Sequence, residues 1–139
     1  MRFELLDRVI EHTEGSITTL KSVTAAEEYL QDHFPSFPVL PGVFMLEALV
    51  QAGRELARRE GSDPRLVLGT VKALKYGTFV APGDAMRVTV TRVGPPDDRG
   101  ASTFKGVATV LRYEPGAQQA TEAGTCVSGR FALRPVRLA

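Results

Sequence analysis

Apolar and polar positions change rhythm several times along the chain, and each change marks an element. Phe3 to Thr13 and Ser16 to Val23 are aliphatic and β-branched runs split by Glu14-Gly15, the pattern of a hairpin. "TAAE", Thr24 to Glu27, has the spacing of a capping box and predicts a short helix ending near Gln31. A loop containing Pro35, Pro38 and Pro41 follows. Pro41 suits the first position of a helix, where its missing N–H costs nothing. Helical composition then runs to about Glu60, with Gly61 and Pro64 as stops. From Leu66 onward the pattern is that of strands, and Met86, Val88 and Val90 alternate with Arg87, Thr89 and Thr91. "GPPDDRG" is a polar turn, and "STFKGVATVLRYE" and "TCVSGRFALRP" read as two further strands. The expected product is an α+β domain: a hairpin, one long helix, then a meander of about four strands, with the antiparallel sheet wrapped around the helix. Neither a repeat nor a linker divides residues 1–139, so one domain is expected. A single sheet leaves free edges, which favours edge-to-edge dimerisation.

On a wheel of about 100° per residue, Met45, Leu46, Leu49, Ala52, Gly53, Leu56 and Ala57 share one arc, the predicted core face. Glu47, Gln51, Arg54 and Arg58 gather on the opposite side, with Val43 and Val50 flanking Glu47. Taken alone, Glu47 is one polar residue of a solvated helix face. It differs from an ordinary one in standing at an apolar margin.

Composition narrows the function classes. With 43% hydrophobic and 24% charged residues the chain reads as a soluble globular protein. A net charge of +1 with interleaved signs provides neither a basic face for nucleic acid nor an acidic tail. The one cysteine, Cys126, excludes an intrachain disulfide, gives no metal cluster and fits a reducing compartment. No long apolar run appears, and acids from the fourth residue on are unlike a signal peptide. A cytoplasmic protein without nucleic-acid or membrane partners is expected.

Three features of one short segment carry candidate chemistry. His33 lies in the proline-rich loop, where Phe34, Pro35, Phe37 and Pro38 supply stiffness and apolar cover; rigid placement is what a general base requires. His12, between Glu11 and Glu14 in a charged stretch, reads as a surface histidine. Because Pro41 donates nothing, the amides of Gly42 and Val43 are the free N–H groups at the positive end of the helix. Gly42 has no side chain to block close approach, so these amides could take a carbonyl oxygen as negative charge builds on it. Glu47 completes a set of base, oxyanion donor and acid. Each member also has a plain structural reading: surface histidine, helix-initiating Pro-Gly turn, solvated glutamate.

The stretch "HFPSFPVLPGVFMLEALVQ" closely resembles the signature of the bacterial 3-hydroxyacyl-(acyl-carrier-protein) dehydratases of fatty-acid synthesis. That signature has His-Phe-Pro, then Pro-Gly-Val, then Glu-Ala with a Gln four residues after the Glu, here Gln51. The likeness extends to "LLDRVIE", "FVAPGDAM" and "FKGVATV", and so covers nearly the whole chain. It implies a hotdog fold and dehydration of a 3-hydroxyacyl thioester to the trans-2-enoyl thioester. It also implies His33 as the base on the α-proton, Glu47 as the acid on the 3-hydroxyl and Gly42 N–H as the carbonyl donor, with Val43, Phe34 and Gln51 about the substrate. No cofactor or metal is implied. The implied partners are an acyl carrier protein and a second copy of the chain, since His and Glu of one site come from different protomers around an apolar tunnel.

Two departures stand out. Ser36 replaces a usual glycine and Phe37 is bulky for its position, which implies a differently shaped loop and a narrower tunnel mouth. A Leu-Pro-His-Arg-Tyr-Pro-like segment common upstream of "LLDRV" is missing, which implies thinner cover of the site. Related dehydratase-isomerases carry Asp on the helix, against Glu47 here. A hotdog thioesterase and a non-catalytic acyl-binding subunit remain as alternatives, because fold does not fix function.

Overall fold

The computed structural model describes residues 3–30, 33–34, 36–62 and 65–136. The hairpin is present as β1 (Arg8–Thr13) and β2 (Ser16–Ser22), turning at Gly15 with φ +77°, a conformation glycine adopts without penalty. A 3-10 turn, Glu28–Leu30, leads into the loop before α1 (Gly42–Arg59). Four strands follow: β3 (Leu66–Tyr76), β4 (Ala85–Val93), β5 (Ser102–Arg112) and β6 (Thr121–Pro135). All six strands form one antiparallel sheet in the order β1-β2-β4-β5-β6-β3.

Alternation sets which side chains face α1. Ile17 and Thr19 from β2, Met86, Val88 and Val90 from β4, Phe104, Ala108 and Val110 from β5, and Phe131 and Leu133 from β6 are all buried. Against them α1 buries Met45, Ala48, Leu49, Val50, Ala52, Gly53, Leu56 and Ala57. Two glycines let helix and sheet come close. A Cβ at Gly53 would stand 3.0 Å from the Phe131 ring, and one at Gly106 3.1 Å from the Leu49 methyls. The sheet therefore curls around the helix, giving the hotdog arrangement.

Four expectations need correction. The TAAE stretch does not cap an α-helix, because the Glu27 carboxylate accepts from Lys21 Nζ at 3.1 Å and only the 3-10 turn follows; Gln31 lies outside the described residues. Pro41 is the N-cap (φ −58°, ψ 141°) rather than the first helical residue. Val50 belongs to the core rather than to the margin of Glu47, because the curled sheet covers more of the helix than one flat face would. Nor do the last four strands form a simple meander. β3 crosses to the far edge beside β6, and β4 inserts next to β2.

The edge strand β3 is irregular. Its pairing with β6 slips between Lys72 and Lys75, where Ala73 adopts φ +53°, a β-bulge at a residue other than glycine. Among the described residues no helix is long and apolar enough to cross a membrane.

Candidate active site

The loop before α1 is held by its own backbone. Phe34 N–H donates to Phe37 O and Phe37 N–H to Phe34 O, while Val39 N–H donates to His33 O at 2.9 Å. Leu40 N–H donates to Val80 O at 2.7 Å and ties the loop to the segment before β4. The His33 side chain is fixed in the same way, with Nδ1 3.0 Å from Val39 O. A carbonyl can only accept, so Nδ1 carries the hydrogen and Nε2 holds the free lone pair. The Phe34 ring stacks on the imidazole at 4.6 Å. The apolar cover expected from the loop phenylalanines is not closed within one protomer, since Phe34 is 55% and Phe37 59% exposed. Pro35 lies outside the described residues.

The start of α1 follows directly. Phe44 and Met45 N–H both donate to Pro41 O, and among the described residues the N–H groups of Gly42 and Val43 have no acceptor. The Val43 side chain is exposed, and the Tyr76 ring of β3 lies flush over Gly42, 2.9 Å from where a Cβ would be. The imidazole and the free amides thus belong to one short stretch of chain, His33 to Val43. Two donors at the positive end of a helix suit a carbonyl oxygen that gains charge.

Glu47 stands farther along, on a polar stripe of α1 at i, i+4 and i+7. Its Oε1 accepts from Gln51 Nε2 at 3.3 Å and from Arg54 Nη1 at 3.5 Å. Gln51 also donates from Nε2 to Phe3 O and accepts on Oε1 from Leu5 N–H, both at 2.8 Å. The amide of Gln51, expected at the substrate, is thereby engaged with the N-terminal segment. That segment is packed further by Phe3, whose ring meets Phe44 at 4.8 Å. Arg54 donates from Nε to Leu66 O at 2.9 Å. Its link to Glu47 is absent from the sequence reading, which places Arg54 on the polar face of the helix; residues seven apart share a helix face, and that spacing is the signal that could have found it. Among the described residues no hydrogen bond, ion pair or ring contact joins His33 to Glu47: the former meets Val39 and Phe34, the latter Gln51 and Arg54.

Comparison with known proteins adds a second line of support. Residues 9–108 match the family described as ApeI-like, the ApeI dehydratase. A 3-hydroxyacyl-(acyl-carrier-protein) dehydratase FabZ of Cupriavidus taiwanensis is 42% identical over 117 residues, covering 78% of this chain and 74% of that protein. The FabZ of Lactococcus lactis subsp. cremoris is 43% identical over 86 residues, and the match spans 60% of each protein's length. Among solved structures, the dehydratase heterocomplex ApeI:P from Xenorhabdus doucetiae aligns over 96% of this chain and 99% of that one, with a TM-score of 0.63 at 14% identity. The beta-alanyl-CoA:ammonia lyase of Clostridium propionicum aligns over 88% of this chain and 86% of that one, with a TM-score of 0.69 at 15% identity. At such identity the structural likeness establishes the fold alone.

Proposed function

The chain belongs to the ApeI-like dehydratase family, and from that premise we propose that it dehydrates 3-hydroxyacyl thioesters on an acyl carrier protein to trans-2-enoyl thioesters in cytoplasmic fatty-acid biosynthesis. The observation that carries this reading is the bond from His33 Nδ1 to Val39 O, three residues before two amides that have no acceptor among the described residues. The bond leaves His33 Nε2 as a fixed base. The thioester carbonyl oxygen accepts from Gly42 N–H, which takes up the charge that develops when Nε2 removes the α-proton. The pair of electrons from that C–H bond forms the new C=C bond, and the C–O bond at the 3-position breaks. Glu47 gives its proton to the departing hydroxyl, and water leaves. Val43 and Phe34, both exposed at the mouth of the loop, line the path of the acyl chain. Gln51 contributes through its hold on Glu47 rather than by reaching the substrate.

Because no hydrogen bond or ion pair joins His33 to Glu47 among the described residues, one site is formed from two protomers: His33 of one and Glu47 of the partner subunit. The free edge of β3 suits such pairing. Leu66, at its start, is bonded to the polar stripe that bears Glu47, so a second copy set against this edge approaches that carboxylate.

Absorbance of the enoyl thioester, followed with purified protein, tests the reading. His33→Ala and Glu47→Gln are each expected to lower turnover by roughly two to four orders of magnitude, while His12→Ala leaves it unchanged. Near-normal turnover in both site variants refutes the mechanism. Release of free thiol in place of enoyl product would identify a thioesterase.

A further inference from the structure

Arg54 stands two turns beyond Glu47, about 10 Å along the helix axis. Side chains on a helix lean toward its N-terminus, so the long arginine reaches back toward the glutamate. Its guanidinium makes two attachments. Nε donates to Leu66 O at 2.9 Å, fixing the plane of the group against the first residue of β3. With that plane fixed, Nη1 meets Glu47 Oε1 at 3.5 Å. Gln51 Nε2 approaches the same oxygen at 3.3 Å. Both donors fall on Oε1, and among the described residues Oε2 has no partner. The carboxylate is thus held by one oxygen and free at the other.

We infer that Arg54 is a positioning residue for the dehydration, a two-point brace between β3 and α1 that holds Glu47 by Oε1 and leaves Oε2 to meet the 3-hydroxyl. The inference rests on Glu47 being the acid of the proposed function. A freely turning carboxyl would divide its time among rotamers. A braced one presents the same oxygen at every turnover, and displacement of a reacting group by about 1 Å can cost on the order of 100-fold in rate. The guanidinium also stands ready beside the negative charge that remains on Glu47 once its proton has left. Lysine has the charge without the fork: one ammonium on a flexible stem cannot keep both the Leu66 carbonyl and the Glu47 carboxylate in this geometry.

A double-mutant cycle read in kcat and KM tests the inference. Arg54→Ala is expected to lower kcat by roughly 10- to 100-fold with KM close to wild type, and Arg54→Lys to recover little of the loss. In a Glu47→Gln background, Arg54→Ala is expected to cost less than about twofold more, since a residue acting through Glu47 has nothing left to hold. An equal loss in both backgrounds, a change confined to KM, or full activity in Arg54→Lys overturns the inference. Melting curves accompany each variant. Should Arg54→Ala not fold, Arg54→Gln, which keeps one donor but cannot make both attachments, carries the same cycle. The two readings fail differently: unchanged activity in Glu47→Gln removes the acid itself, whereas a large loss there with none in Arg54→Ala removes only the brace.

Discussion

Gly42→Ala separates stability from activity at a single atom. The residue opens α1 with an N–H that finds no acceptor among the described residues, and the added Cβ would stand 2.9 Å from Cε1 and Cζ of Tyr76. Ordinary carbon contacts begin near 3.4 Å, so the ring has to give by about 0.5 Å. Tyr76 is 52% exposed and can swing outward rather than strain the core. Gly42 does not have a positive φ, and alanine is a better helix former by at most about 1 kcal/mol, less at a helix end. Those two effects roughly offset, and the melting temperature is expected to stay within a few degrees of wild type. Activity should not follow. The methyl group and the displaced ring occupy the approach to the free amide, and loss of one such donor typically costs 100- to 1,000-fold in kcat. Enoyl-thioester absorbance and a thermal melt on the same preparation decide the matter. A stable variant with near-normal kcat would show that no carbonyl oxygen approaches this amide.

Refolding His33→Ala and Glu47→Ala together tests the shared site: random pairing makes about half the dimers mixed, each with one sound site, so roughly a quarter of wild-type activity should return. Activity no higher than that of the separate variants would place both groups of a site in one chain. For Cys126, burial pushes the thiol from 9.0 up to about 11, so native protein at pH 8 should resist iodoacetamide and react once unfolded. The unfolded thiol ionises near 9.0 and the folded one near 11. Its contribution, at most about 3 kcal/mol, is therefore complete below pH 9 and is lost as pH rises toward 11; denaturant melts across that window should show falling stability, and an unchanged midpoint would refute it.

The strands were legible in the sequence because alternation is local: Met86, Val88 and Val90 point to α1 as their spacing requires. Strand order was not, since β3 reaches the edge by a crossover and nothing in its own composition marks its neighbour. The helix wheel succeeded for Leu49 and Leu56 and failed for Val50, because a wheel assumes one apolar face and cannot know that the sheet curls past it. At the site, the loop histidine and the neighbourhood of the helix start could be read directly, although Pro41 caps α1 rather than opening it. The bonds of Gln51 could not, because its partners Phe3 and Leu5 lie 48 and 46 residues away. Likewise the Val39 carbonyl that fixes the His33 tautomer is invisible to any motif of side chains.

The bulge at Ala73 also bears on what the protein avoids. A free edge of eleven residues is a template on which any extended peptide could zip, and a second edge on each added copy would let the process continue without end. Here the edge is broken between Lys72 and Lys75, and both lysines are exposed, so an added strand would meet like charges at the break. The left-handed conformation at Ala73 costs about 1 kcal/mol or more, a cost that a regular strand would not carry. In return the edge offers no uniform ladder. A partner related by a two-fold axis would meet the break once, whereas a growing filament would meet it at every step.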